Sequence, residues 1–340
     1  METSSNLHSP ADTGNPAAGV SLKERAKLLL KFALVGVVFF YLYKKGLITA
    51  ESFKKLFSSP RTWIICTILT TVNTFLGALR WQVLLRTQGV ELPFRQVLKL
   101  NMTGAFFNIA LPGAVSGDFV KAMMVVKRVK ENRAGIFGSM IFDRILGVSA
   151  MVFVGSFSAL LSVVLPWGGR LPPVLPVSIG LLGAAVAGFF LYLFFSHRKD
   201  PLHGLLRHLT RRIEKFGSIE RLYLGVMGYR AHPGRILKAI ALSVLIHLFL
   251  ILMAYFITEA ISQDALSVIA VAVVVPIGML ATAIPVLPAG VGTGHAAFLG
   301  LFHIIGSPLG AEVFSMLVLY QVLTGVVGGV VYLKVLSEKD

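Results

Sequence analysis

Six long apolar runs limit what this 340-residue chain can fold into. One ends at Tyr43, and five lie at about 62–85, 136–165, 173–195, 236–260 and 312–335. Each is near or above the ~20 residues with which a helix crosses a bilayer. Charged residues make up 14% of the chain and hydrophobic residues 55%, with a formal net charge of +16 and a mean hydropathy of +0.78. An ordinary soluble domain carries about 25% charged residues. The combination excludes a water-soluble globule, a disordered chain and a typical nucleic-acid-binding domain, so no nucleic-acid partner is expected. Cys66 is the single cysteine, which rules out a disulfide framework or a cysteine-based zinc site. The chain therefore reads as an all-α polytopic membrane protein.

Two further apolar stretches, about 97–130 and 266–306, are interrupted. The first breaks at Leu111-Pro112-Gly113 and then meets Lys121, Lys127, Arg128 and Lys130. The second carries Pro285, Pro288, Gly290, Gly292 and Gly294. Helix breakers at membrane depth are tolerated where the backbone is buried in protein or lines a wet cavity. Both stretches read as re-entrant helical hairpins that go halfway in and return. The expected architecture is about six full crossings plus two hairpins.

Residues 1–20 are small and polar and read as a disordered tail; 21–31 reads as an amphipathic lead-in. No secretory signal peptide is expected, because no small-residue cleavage site follows the run to Tyr43. Orientation follows charge. Residues 198–238 hold ten Lys/Arg against three acids, 10 − 3 = +7, and positive loops stay cytoplasmic. Within them Leu202, Leu205, Leu206, Leu209, Ile213 and Phe216 recur at helical spacing, so 196–235 reads as a basic amphipathic segment on the inner leaflet. Both termini then fall in the cytoplasm. Residues 44–61, with five basic residues against Glu51, run against this scheme.

In that topology 21–336 is one transmembrane unit of two halves, about 21–166 and 173–336. Each half reads span, span, hairpin, span, and the second is inverted relative to the first. The tips correspond: Ile109-Ala-Leu-Pro-Gly-Ala-Val-Ser-Gly-Asp118 and Ile284-Pro-Val-Leu-Pro-Ala-Gly-Val-Gly-Thr-Gly-His295. Paired inverted repeats with Gly/Pro-broken segments point to a transport site near the midplane.

The residues able to act chemically cluster at these breaks. Pro112 and Gly113 stop one half-helix, and Ser116-Gly117-Asp118 starts the next. Asp118 either caps that helix or, at a helix start offering N–H donors to an anion, positions Lys121. Asn108 on the incoming arm, with Asn101 and Thr103, either lines the same cavity or pairs between helices. At the second tip Pro288, Gly290 and Gly292 precede His295, which is either a satisfied structural histidine or an anion donor. Asp143-Arg144 lies within a span, where charges are expensive. Adjacent helix residues point about 100° apart, so either one reaches another segment, with the Asp118/Lys121 region the candidate, or the pair snorkels to headgroups. Arg80-Trp81 and Arg86 read as interface anchors. His247 and His303 lack metal-type neighbours, so no metal and no cofactor is expected. Gly325 and Gly329 form a small-residue face for helix packing, or for a homo-oligomer or pathway partner.

Taken together, Leu111-Pro112-Gly113-x-x-Ser116-Gly117-Asp118-x-x-Lys121, Asp143-Arg144-x-x-Gly147 and Pro285-x-x-Pro288-Ala289-Gly290-x-Gly292-x-x-His295 resemble the lysylphosphatidylglycerol synthase transmembrane family, over about Lys23 to Leu336. The resemblance implies a flippase-like protein of the bacterial inner membrane that handles aminoacylated or other anionic phospholipids. It matches Asp118 and Lys121 to the first motif's acid and base. Four positions depart from the family pattern: Ser116 for a glycine, Lys121 for the usual arginine, Ala289 for a glycine, and His295. His295 stands where the family has a glutamate, which points to a different headgroup. Some family members carry a soluble aminoacyl transferase domain; a stand-alone form without it is expected. No enzyme motif appears, neither Gly-x-Ser-x-Gly nor His-Glu-x-x-His. The leading expectation is a lipid flippase-type transporter binding an anionic headgroup through Asp118, Lys121, Asp143, Arg144, His295, Asn108 and Ser116. The alternatives are a membrane-embedded enzyme acting on a lipid-linked substrate and a non-catalytic subunit of a lipid or envelope-polysaccharide pathway.

Overall fold

Where the chain enters and leaves its helices, the sequence supplies the signals. The computed structural model describes residues 57–110, 116–129, 132–164, 172–195, 216–262, 266–282, 290 and 292–337, together with 37, 40, 43, 44, 51, 54, 203 and 208. Its helices are α1 Pro60–Thr87, α2 Phe94–Ala110, α3 Ser116–Val129, α4 Arg133–Val164, α5 Val174–Phe195, α6 Phe216–Met227, α7 Pro233–Ile261, α8 Val268–Ala281, α9 Thr293–Ile304 and α10 Gly310–Ser337. A 3-10 turn, Gly228–Ala231, joins α6 to α7. Proline opens α1 and α7, where its missing N–H costs nothing. The end of α1 is fixed by Gly89 at φ +75°. Its N–H donates to the Arg86 carbonyl at 3.2 Å and that of Val90 to Leu85 at 3.0 Å, closing the orphan carbonyls of the last turn. Asn132 caps α4 by accepting from Gly135 N–H at 3.0 Å, and its amide donates to the Gln88 carbonyl at 2.6 Å. One residue thus starts α4 and ties it to the end of α1.

The protein is an all-α polytopic membrane protein. Among the described residues five helices, α1, α4, α5, α7 and α10, are long and apolar enough to cross a membrane, and they match five of the six expected runs. The sixth, ending at Tyr43, lies largely outside the described residues, as do the tail 1–20 and most of 196–215. Large apolar side chains line the outside: Phe195 is 80% exposed, Val163 71% and Leu181 69%. Such a surface is stable against lipid and not against water.

The interrupted stretches form paired short helices. At 1.5 Å per residue, α2 and α3 span about 26 and 21 Å and α8 and α9 about 21 and 18 Å, each short of the ~30 Å hydrocarbon core. Each pair is antiparallel. Phe107 and Asn108 meet Ser116 and Gly117, while Gly104 lies against Lys121. Gly278 meets Phe298, and Thr282 meets Gly290. The tip segments 111–115 and 283–289, with Pro112, Gly113 and Pro288, lie outside the described residues.

Without a hydrophobic driving force between helices in lipid, close packing rests on small residues. The carbonyl oxygen of Gly104 occupies the place a Cβ on Gly117 would take. Along α10, Gly325 abuts Ile109 and the Ala105 carbonyl, and Gly328 abuts the Met102 carbonyl. The Gly325 face, read as a surface for helix packing or for a partner, thus lies against α2 of the same chain, and Gly329 is buried as well. Gly155 of α4 meets Pro276 of α8. The hairpin arm α2 therefore packs on α10, and the arm α8 on α4. The long pair α1 and α7 closes the bundle. The described part of the basic amphipathic segment, α6, packs on α4, where Gly225 meets Gly138 and the Ala134 carbonyl. Beyond it Tyr229 stacks on Phe142 at 4.2 Å and donates to the Leu84 carbonyl at 3.0 Å.

Gly117→Leu forces a side chain into the α2 backbone and lowers stability by about 1–3 kcal/mol or more. Gly300→Leu, on an open face, leaves the detergent melting temperature nearly unchanged. Thermal melts of the purified variants check both.

Candidate functional site

The first tip is stitched before any charge is placed. Ser116 Oγ donates to the Phe107 carbonyl at 3.2 Å, and Gly117 N–H donates to Asn108 Oδ1 at 2.8 Å. This sets Asp118 in the first turn of α3, where a carboxylate suits the positive helix end. Its side chain is 8% exposed, and two cations flank it. Lys121 Nζ lies 2.8 Å from Asp118 Oδ1, one turn along the same helix. Arg144 of α4 donates to Asp118 Oδ2 through Nε and Nη2. Lys121 is 4% exposed, and its ammonium stands 4.5 Å over the Trp81 ring, an arrangement that favours a cation. The indole N–H donates to Ser139 Oγ at 3.2 Å.

Asp143 and Arg144 diverge, as their 100° helical separation requires. Arg144 turns to α3. Asp143 turns to α1, where Arg80 holds it bidentately, Nε to Oδ1 at 2.7 Å and Nη2 to Oδ2 at 3.0 Å. Arg80 Nη1 also donates to Ser243 Oγ of α7 at 2.9 Å, and Ser243 donates to the Ala239 carbonyl at 2.9 Å. Arg80 and Trp81 are therefore not interface anchors: Trp81 is 0% exposed, and the Arg80 side chain is 13% exposed, with its guanidinium engaged inside the bundle. Charge cost explains the difference. A carboxylate within a span needs a cation, and Arg80 supplies it across α1 and α4.

Arg144 differs from its neighbours in being open, with 44% of its side chain exposed. It faces a cavity of about 460 Å³ enclosed by α1, α2, α4, α7, α8 and α10. Among the described lining residues Arg144 alone is charged. Around it stand Thr70, Asn73 and Thr74 of α1 and Asn108 of α2; Tyr320, Gln321 and Thr324 of α10 and Thr282 complete the described polar lining. Leu250, Met253, Met279 and Leu317 supply apolar wall. Asn108 and Gly290 bring the two hairpins to the same cavity. Asn73 donates to the Ile246 carbonyl at 3.3 Å, while its Oδ1 is buried without a partner among the described residues.

His295 does not join this cluster. It is buried between α9 and α10, edge-on to Phe314 at 4.8 Å. Gly292 N–H donates to Nδ1 at 3.3 Å, so Nε2 carries the proton and faces Ser315 Oγ at 3.0 Å. The histidine thereby caps α9 and bonds it to α10, and it does not line the cavity. The two tip N–H groups, of Gly117 and Gly292, are both used internally, so the helix starts are less open to an anion than the sequence suggests. Asn101 ties α2 to α1, donating to the Thr74 carbonyl at 3.4 Å, and Thr103 bonds back within α2. His247 Nδ1 lies 2.7 Å from the Ser243 carbonyl. Among the described residues no three His, Cys, Asp or Glu side chains converge as a metal site would require.

Sequence reasoning missed Asn73 and Gln321 and gave Arg80 the wrong role. Thr70, Asn73 and Thr74 sit at i, i+3 and i+4 in an apolar span, so a polar helix face was the available signal.

The chain matches the family model described as Lysylphosphatidylglycerol synthase TM region over residues 28–331. It is also similar to a curated protein described as a UPF0104 membrane protein, from Methanothermobacter thermautotrophicus. The two are 23% identical over 277 residues, which covers 75% of this chain and 76% of that relative. No solved structure matches.

Arg80→Leu strands Asp143 without its cation and costs about 3–5 kcal/mol. Arg80→Leu/Asp143→Leu regains most of that loss, because an apolar pair replaces the buried charges. Denaturant titration of the two variants against wild type measures the difference.

Proposed function

The chain belongs to the lysylphosphatidylglycerol synthase transmembrane-region family, and from that premise we propose that it is a flippase-type transporter of phospholipids with an anionic headgroup. The observation that carries the reading is Arg144, one half-exposed cation in a cavity otherwise walled by hydroxyls, amides and apolar side chains. A guanidinium binds phosphate through paired charge-assisted hydrogen bonds. The neutral polar groups around it suit the rest of a headgroup, and a cavity of about 460 Å³ takes a headgroup while two acyl chains stay in the bilayer. In this reading the halves are inverted repeats, the hairpins meet at the cavity, and access alternates between the leaflets. The basic 198–238 segment faces the cytoplasm, with both termini on that side of a bacterial cytoplasmic membrane. Carriage is favoured over catalysis because the described lining offers no carboxylate, thiol or imidazole.

Tail-labelled phosphatidylglycerol in phosphatidylcholine vesicles tests the reading, with a membrane-impermeant reductant quenching the outer leaflet. Wild-type protein exposes the inner-leaflet label, and Arg144→Gln slows this about tenfold, the loss expected of a charged hydrogen bond. Equal rates for the variant and wild type, or for protein-containing and empty vesicles, overturn the proposal.

A further inference from the structure

Arg144 reaches the cavity already holding a carboxylate, and that occupancy has a chemical consequence. We propose that Asp118 is a built-in competitor for the cavity cation: a monoanionic headgroup binds by displacing Asp118 from Arg144, while Lys121 remains with Asp118. The inference rests on the anion-carrying reading above and narrows its substrate class to a single negative charge, that of a phosphodiester.

The charge count carries the argument. Among the described residues, Lys121 and Arg144 against Asp118 give 2 − 1 = +1, and the Arg80–Asp143 pair is closed on itself. One anionic charge arriving at Arg144 leaves two neutral pairs, Asp118 with Lys121 and Arg144 with the anion. Without Lys121 the same exchange strands a buried carboxylate, which costs several kcal/mol. A dianion leaves an excess negative charge in a low-dielectric site, where it is penalised. Mobility is divided in the same way. Lys121 is 4% exposed, 2.8 Å from Asp118 and 4.5 Å over Trp81, so it stays. Arg144, 44% exposed on a long side chain, can swing toward the cavity without leaving α4. With no anion present the Asp118–Arg144 pair stays closed, and the site does not hold an open unpaired cation. Each anion bound must repay the lost pair, so binding is weak and release fast, as a carrier requires.

Dihexanoyl phosphatidylglycerol titrated calorimetrically into the full-length protein in neutral detergent tests the exchange, with dihexanoyl phosphatidylcholine as the zwitterionic control. Asp118→Asn/Lys121→Met keeps the +1 count and removes the competitor; it binds phosphatidylglycerol about tenfold more tightly than wild type. Lys121→Met alone leaves Asp118 with only Arg144 and binds at least about a hundredfold more weakly. Asp118→Asn alone carries the test with the sign of the double variant if that variant does not fold. Affinity equal to or below wild type on removal of Asp118 overturns the competitor role. If Arg144→Gln still abolishes binding in that case, the anion-carrying reading stands and only this inference falls. If wild type does not distinguish the two lipids and Arg144→Gln changes nothing, the anion-carrying reading itself fails.

Discussion

A buried carboxylate between two cations organises this protein. Asp118 cannot be placed inside a bundle of apolar helices unless its charge is matched. Lys121 answers it from the same helix and Arg144 from α4. That requirement fixes the angle at which α3 meets α4 and brings Trp81 of α1 under the Lys121 ammonium. The neighbouring Asp143 imposes a second demand, met by Arg80 and Ser243, which ties α1 and α7 into the same layer. Two adjacent residues of α4 thus hold α1 and α3 in register, with α7 bound in through Arg80. Of the charged groups involved, only Arg144 faces the cavity.

The hairpins make that exposure possible. A continuous span would bury Arg144 against another helix. The short arms α2 and α8 instead end where the cavity begins, with Asn108 and Gly290 at its wall. Their placement depends on backbone contact that side chains would prevent: Gly104 against Gly117 within the first hairpin, and α10 against α2 through Gly325 and Gly328. The first arm of each hairpin lies on a long span, α2 on α10 and α8 on α4. A movement of either hairpin is therefore felt by a long span, α10 for the first and α4 for the second.

Much of this was legible in the residues. Hydropathy located the five described spans, because lipid demands long uncharged runs, and the Pro/Gly breaks located the hairpins. The cost of charge in lipid pointed from Arg144 to the Asp118/Lys121 region. What escaped followed from partners that sequence does not name. Arg80 sits beside a tryptophan seven residues from a helix end and resembles a headgroup anchor until Asp143 is seen facing it. His295 follows a glycine-rich tip and resembles a ligand; only the third dimension shows Ser315 and the Gly292 N–H taking both ring nitrogens. Gly325 could have served another molecule, but α2 fills its face. Asn73 was passed over because the polar face it shares with Thr70 and Thr74 lies in a 28-residue helix that reads as an ordinary apolar span.

The central claim is that the Arg144 guanidinium receives the headgroup while the Asp118–Lys121 pair remains intact behind it. A high-resolution structure of the protein in nanodiscs containing phosphatidylglycerol tests this most directly. The expected structure has a phosphate about 3 Å from the Arg144 guanidinium nitrogens, Asp118 still bonded to Lys121, and acyl chains leaving the cavity between helices. A lipid phosphate seated elsewhere with Arg144 still closed on Asp118, or a cavity empty of lipid at saturating phosphatidylglycerol, would contradict it.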